Sequence, residues 1–207
     1  MKLYYSPGVC SLASHIILNE SGLAHSIEKV DLAKKVTETG ADFTNVNPNG
    51  YVPALELDGG DVLTEGPAIL QYLADLAPES ELAPKAGTIE RVRLQEWLNF
   101  ITSELHKGFS PLFNKDPLVE PAKPIFARKL ADRFAHVDAK LADDRKYLTG
   151  DSFSVADAYL FTVANWGKLV GVDLSGLANL QALLGRIAER PAVQKTLEAE
   201  GLKKKAA

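Results

Sequence analysis

The chain is expected to fold as a mixed α/β unit followed by an all-helical one, and three observations predict this. Residues 1–77 alternate short apolar strands and amphipathic helices in the order strand, helix, strand, hairpin, helix. The proline- and acid-bearing stretch Pro78-Glu-Ser-Glu-Leu-Ala-Pro84 then interrupts every periodicity. Beyond it only helical spacing of apolar residues recurs. The expected division is 1–77 for the α/β unit, 78–87 for a linker and 88–207 for the helical unit.

Taken in order, Lys2-Leu-Tyr-Tyr-Ser6 predicts a strand, Pro7-Gly8 a turn and residues 11–20 a helix. Ser26-Ile-Glu-Lys-Val-Asp31 predicts a second strand. Residues 53–58 and 61–64, joined at Gly59-Gly60, predict a hairpin with a tight glycine turn. A helix follows over 66–77, with Pro67 suited to its first turn. This order implies a four-stranded mixed sheet with helices on its faces. In the second unit helical spacing covers 89–109, 124–142, 155–170 and 177–189. The third helix opens on Ser154-Val-Ala-Asp157, a spacing at which each side chain satisfies the other's backbone N–H. It reads as a folding signal, not a catalytic pair.

Composition narrows the function. With 46% hydrophobic and 24% charged residues the chain reads as an ordinary globular protein. A net charge of −4 argues against a nucleic-acid or anionic-membrane partner. No apolar run approaches the roughly 20 residues that span a bilayer, and Met1-Lys-Leu-Tyr-Tyr5 lacks the regions of a signal peptide. The single cysteine excludes an internal disulfide and fits a reducing compartment, so a cytoplasmic location is expected. Lys203-Lys204-Lys205 reads as a solvated end.

That cysteine, Cys10, stands where the first strand hands over to the first helix. A thiol there faces unpaired backbone N–H groups and the positive end of the helix dipole, so its thiolate is expected to be favoured. The competing reading is a small buried hydrophobe. Val52-Pro53 enters the hairpin; the residues alone favour a trans proline, whereas a cis bond would turn the Val52 N–H and C=O outward for an extended peptide. At Thr64-Glu65-Gly66-Pro67, Glu65 can bind an ammonium while the first-turn N–H groups hold a carboxylate, or else the acid only complements the helix dipole. One α-amino-acid head group carries both charges.

Asn99, Ser103, His106 and Lys107 recur at i, i+4, i+7 and i+8 and form a polar stripe opposite Leu94, Leu98, Ile101 and Leu105. The stripe is either a solvated face or a cleft wall on which His106 and Lys107 stabilise an anion. His15, His25 and His136 show no metal spacing, and no metal site is expected. His15 lies five residues after Cys10, about 140° round the helix, and reads as structural.

Together these residues resemble the cytosolic glutathione transferases, specifically the bacterial beta class. The resemblance is carried by Tyr5-Ser-Pro-Gly-Val-Cys-Ser-Leu-Ala-Ser14, Asn47-Pro-Asn-Gly-Tyr-Val-Pro-Ala-Leu55, Leu63-Thr-Glu-Gly-Pro-Ala-Ile-Leu-Gln-Tyr-Leu-Ala-Asp75, Trp97-Leu-Asn99, Glu104-Leu-His-Lys-Gly108 and Ser154-Val-Ala-Asp-Ala-Tyr-Leu-Phe161. These run in order along nearly the whole chain. The resemblance implies a thioredoxin-like N-terminal domain, an all-α C-terminal domain, a homodimer, and glutathione as co-substrate for a hydrophobic electrophile.

Carried over residue by residue, it sets Cys10 and His106 at the reacting sulfur. Val52, before a cis Pro53, pairs with the cysteinyl backbone, and Glu65 and Gly66 take the γ-glutamyl head group. Lys35, or its neighbour Lys34, meets the glycine carboxylate. Asn99, Ser103, Glu104 and His106 close the site, with Lys107 near the acceptor. Many other classes carry a serine where Gly66 stands, so here only backbone N–H groups serve that carboxylate. Tyr5 or Ser6 is the alternative thiol activator. Phe109, Phe113 and Trp166 either line the acceptor pocket or are core. Without a Cys-x-x-Cys motif, thiol transfer through Cys10 needs a second glutathione to resolve the mixed disulfide. A non-catalytic glutathione-binding scaffold or regulator is the alternative from another class.

Overall fold

The computed structural model describes residues 1–203. They form two compact units: Met1–Ala83 joined by the described residues from Ala188 onward, and Pro84–Ile187. In the first, strand β1 (Lys2–Tyr5), helix α1 (Ser11–Ser21), β2 (Ser26–Asp31), β3 (Val36–Thr37), β4 (Ala54–Glu56), β5 (Val62–Leu63) and α2 (Gly66–Leu76) follow one another. The sheet order is β3-β2-β1-β4-β5. β1 runs parallel to β2, with Leu3 beside Ile27, and antiparallel to β4, with Leu3 beside Leu55. A mixed sheet therefore forms as expected, but with five strands, not four. The added edge is β3, a two-residue strand too short to show alternation in sequence.

Helix α1 packs on β1 and α2. Leu3, Ile16, Ile17, Leu55, Ile69, Leu70 and Leu73 are all at 0% exposure. Each such side chain contributes roughly 1.5–3 kcal/mol on burial, so this strip fixes the N-termini of α1 and α2 against the sheet. The hairpin closes through the Leu57 N–H on Asp61 O (2.8 Å) and the Gly60 N–H on Leu57 O (2.9 Å). A last helix among the described residues, Pro191–Ala199, packs on α1 and belongs to this unit. The helical spacing read from the sequence stops short of it.

The second unit holds α3 (Ile89–Phe100), α4 (Ser110–Phe113), α5 (Lys123–Lys140), α6 (Val155–Ala164), α7 (Gly167–Val170) and α8 (Ala178–Ala188). Every residue of α6 is buried, so the other helices pack around it. Its capping box forms as expected: Ser154 N–H and Oγ donate to Asp157 Oδ2 at 2.9 and 2.6 Å. Asp157 Oδ1 also accepts the Leu148 N–H at 2.8 Å, pinning the preceding loop. Two expected helices are broken. Residues 155–170 split between α6 and α7, and after Phe100 the backbone widens into a π-helical turn, Ile101–His106, then tightens into a 3₁₀ turn, Lys107–Phe109. Lys203 pairs with Glu198 at 3.7 Å; Lys204 and Lys205 of the expected solvated end lie outside the described residues.

Candidate active site

Within the first unit the structure gathers Cys10, Val52, Pro53, Glu65 and Gly66. Cys10 is the N-cap residue of α1, and its thiol donates to Val52 O at 3.0 Å. Burial, with a smaller contribution from the Glu65 carboxylate, pushes the thiol up to about 11, although the N–H groups of Cys10 and Ser11 act in the opposite direction. The expected thiolate is thus corrected. The helix-end donors are present, but removal from water outweighs them, and a protonated thiol satisfies a carbonyl.

The Val52–Pro53 bond is cis, against the trans start that the residues alone favoured. The carbonyl of Val52 is not an open edge, since it is the acceptor for Cys10. Among the described residues no acceptor is seen for the Val52 N–H.

Glu65 is the N-cap of α2 and adopts φ 66°, ψ 108°, outside the regions a side chain favours. Its carboxylate makes no capping bond, while its own carbonyl accepts the Ala68 and Ile69 N–H groups, both at 3.0 Å. The acid therefore does not serve the helix as a cap. Of the first-turn donors, Pro67 has no N–H and those of Ala68 and Ile69 are engaged, so Gly66 carries the N–H left for a carboxylate. A Cβ on Gly66 would lie 3.9 Å from Pro53 Cγ, in ordinary contact.

The structure separates the two lysines. Lys35 Nζ donates to Gly50 O at 2.7 Å and sits 5.5 Å from the Tyr51 ring centre. Its stem crosses Gly50 so closely that a Cβ there would meet it at 3.0 Å. Lys34 is 79% exposed and pairs with Asp31 at 3.5 Å. The ammonium beside the Val52 loop is that of Lys35.

In the helical unit, the polar stripe is only partly a stripe. Asn99, Ser103 and Lys107 are exposed and Leu94, Leu98, Ile101 and Leu105 buried, as the spacing implied. Ser103 Oγ donates to Asn99 O at 2.9 Å, and Glu104 pairs with Arg133 at 2.7 Å. His106, at the end of the π turn, is half-buried. Its Nδ1 lies 2.6 Å from Tyr159 Oη and its ring stands edge-on to Trp166 at 4.9 Å. Burial, with Lys107 second, pushes His106 down to about 4. The ring is therefore neutral at neutral pH, and any part it takes in stabilising an anion is that of a neutral donor. With Nδ1 occupied by Tyr159, only Nε2 remains to face a ligand. Of the aromatic trio, Phe109 and Trp166 are core at 1% and 7% exposure, whereas Phe113 is 45% exposed. Tyr5 and Ser6 offer no shown activation: burial raises Tyr5, and Ser6 is tied through its backbone to Ser11.

The spacing argument missed Tyr159, because every residue of α6 is buried and a helix with no solvent face gives no periodic signal. It also missed Glu200, which accepts the Gly8 N–H at 2.9 Å two residues before Cys10.

Residues 9–76 match the model of the glutathione S-transferase N-terminal domain, and residues 100–191 that of the C-terminal domain. Glutathione S-transferase GstA of Escherichia coli O157:H7 is 50% identical over 98% of this chain and the whole of its own length. The chain belongs to the glutathione S-transferase family. Its solved relatives include the bacterial beta class glutathione S-transferase of Sphingomonas chungbukensis, 49% identical, with a TM-score of 0.92 over 98% of this chain and all of that one. A sphingomonad glutathione S-transferase complexed with glutathione is 48% identical, with a TM-score of 0.91 over the same shares. The thioredoxin-like fold of the first unit and the helical second unit are those of this family, and the beta-class resemblance stands. For a glutathione transferase, the chemistry gathered at Cys10, Val52, Glu65 and Lys35 is suited to a short peptide with a free amino-acid head, a thiol and a terminal carboxylate. Among the described residues no cluster of His, Cys, Asp or Glu is placed to hold a metal ion, and no helix is long and apolar enough to cross a membrane.

Proposed function

We propose that this protein conjugates the glutathione thiolate to hydrophobic electrophiles, using the groups of its first unit as the tripeptide cradle. The observation that carries the reading is the placing of Cys10, Val52, Glu65 and Lys35 in one unit, with Glu65 left out of helix capping. In this reading Glu65 binds the γ-glutamyl ammonium and the Gly66 N–H its carboxylate. Val52 pairs with the cysteinyl backbone and Lys35 takes the glycine carboxylate. The Cys10 thiol redirects its proton from Val52 O to the glutathione sulfur, stabilising the thiolate as a neutral donor. Each pKa unit taken from the bound thiol needs about 1.4 kcal/mol of preferential stabilisation, within reach of a few aimed donors.

For the helical unit, family membership supports assigning Asn99, Ser103, Glu104, His106 and Lys107 to the same reaction. His106 acts there as a neutral Nε2–H donor. Homodimer formation and a cytoplasmic location complete the reading; exposed Leu76, Ile89 and Val92 supply apolar surface for an interface.

Burial pushes the Cys10 thiol up to about 11 and disfavours its thiolate at neutral pH, so in this reading Cys10 acts as a donor in conjugation and not as the nucleophile of thiol exchange. The test is calorimetric titration with glutathione followed by turnover with an aryl halide. Saturable binding and saturable turnover are expected. Turnover that stays linear in glutathione, with no heat of binding, refutes the reading, and binding without turnover across a broad electrophile panel favours a scaffold.

A further inference from the structure

Glu200 follows the last helix with its side chain fully buried, and nothing in the proposed chemistry uses it. Its two oxygens reach to either side of Cys10. Oε2 accepts the Gly8 N–H at 2.9 Å, two residues before the thiol, and Oε1 lies 2.9 Å from His15 Nδ1, five residues after it. The contacts around it are of another kind. Asn19 donates to Thr196 Oγ1 at 2.9 Å, and Arg190 pairs with Glu20 at 2.6 Å, both remote from the loop. Leu202 fills the space over Gly8, where a Cβ would meet it at 3.4 Å. The start of the loop is closed separately by Ser11 Oγ, which accepts from Ser6 N–H and donates to Ser6 O, both at 3.2 Å.

A carboxylate out of water is costly unless each oxygen finds a donor. An apolar side chain would join the same two helices without that cost, so what the acid adds is the bond to His15 on α1 and the fixed Gly8 amide, and only the second lies in the loop before Cys10. Gly8 has φ 72° and lies in the turn that delivers Cys10 to Val52 O. We propose that Glu200 is a positioning residue, anchoring the loop before Cys10 so that the thiol stays directed at the Val52 carbonyl. Without the acceptor, this anchor of the Gly8 turn is lost, the turn loosens and the thiol reaches water.

Cys10 is the only cysteine, so its alkylation by iodoacetamide at neutral pH, followed by intact mass, reads the loop directly. Glu200→Ala is expected to react about tenfold faster or more, the gain in thiolate for each unit by which the thiol pKa falls. Glu200→Gln keeps an oxygen for Gly8 and an N–H for an unprotonated His15 nitrogen, and is expected to react at the wild-type rate. Thr196→Val weakens the same helix contact without touching the loop, and is expected to lose stability without faster alkylation. A wild-type rate in folded Glu200→Ala, or equal acceleration in Thr196→Val, overturns the proposal. Should Glu200→Ala not fold, amide exchange in the intact wild-type protein decides: slow exchange at Gly8 is expected, and fast exchange overturns it. The inference rests on the functional reading only for its consequence, a lower kcat/KM in Glu200→Ala. Alkylation needs no glutathione, so its failure and that of the functional reading are told apart.

Discussion

At Cys10 two effects of comparable kind oppose each other. The α1 N-terminus offers N–H groups that favour a thiolate, while burial and Glu65 disfavour it, and the net direction is upward. Cys10→Ala is therefore expected to lower kcat/KM for conjugation with an aryl halide, since the donor to the glutathione sulfur is gone, and to lose any exchange with a glutathione mixed disulfide; retained exchange would show that Cys10 is not its nucleophile. At Glu65 the positive φ holds roughly 1–3 kcal/mol of backbone strain. Glu65→Gly is expected to raise Tm by a few degrees, at about 2–4 °C per kcal/mol for a chain of this size, and to weaken glutathione binding in the same sample. Calorimetry reads both. Gly66→Ser has room for its Cβ against Pro53 and adds a hydroxyl, so a lower KM for glutathione is expected. Lys35→Met is expected to raise that KM about tenfold or more, the worth of a charge-assisted hydrogen bond, and Lys34→Met to leave it unchanged. Much of this was legible in the residues: Cys10, Glu65 and the Val52-Pro53 junction stand at element boundaries that any reader of turns and caps would mark. What was not legible is the balance of solvation. Burial of Cys10 and His106 depends on neighbours brought in from Val52, Tyr159 and Trp166, and at Cys10 it reversed the expected charge.

At the scale of elements, the helix 89–109 was read with one uniform period, which a π turn breaks. Widening at Ile101–His106 leaves Leu94, Leu98, Ile101 and Leu105 buried while setting His106 against Tyr159 and Trp166. Apolar spacing reports the buried face and not the winding of the turn, so the core was legible and the local geometry was not. The histidine's depressed pKa has a signed consequence. Between about 6.5 and about 4 the unfolded chain binds the proton and the folded one does not, so stability falls as pH falls through that window. His106→Asn is expected to flatten the fall in Tm over that range relative to wild type, and an equal slope in both would contradict a neutral buried ring. The capping box, by contrast, was readable because its chemistry is local. Asp157→Asn turns an amide NH₂ toward the Ser154 donors, and is expected to cost about 2–3 kcal/mol, as a lost cap with a buried unmatched N–H does. Thermal unfolding checks it.

At the scale of the molecule, the two-unit architecture followed from a change of periodicity and a proline-bearing break, both properties of the chain alone. The return of Pro191–Ala199 to the first unit was invisible to that argument, since long-range packing leaves no mark in local spacing beyond a Pro at a helix start. It matters because that return brings Glu200 to the loop before Cys10. The account as a whole depends on the first unit being a cradle for glutathione. A crystal structure of the protein with glutathione tests this most directly. The predicted result is the γ-glutamyl group at Glu65 and Gly66, the cysteinyl backbone on Val52 and the ligand sulfur within hydrogen-bond reach of the Cys10 thiol. Glutathione bound with its head group away from Glu65, or its sulfur turned away from Cys10, would contradict it.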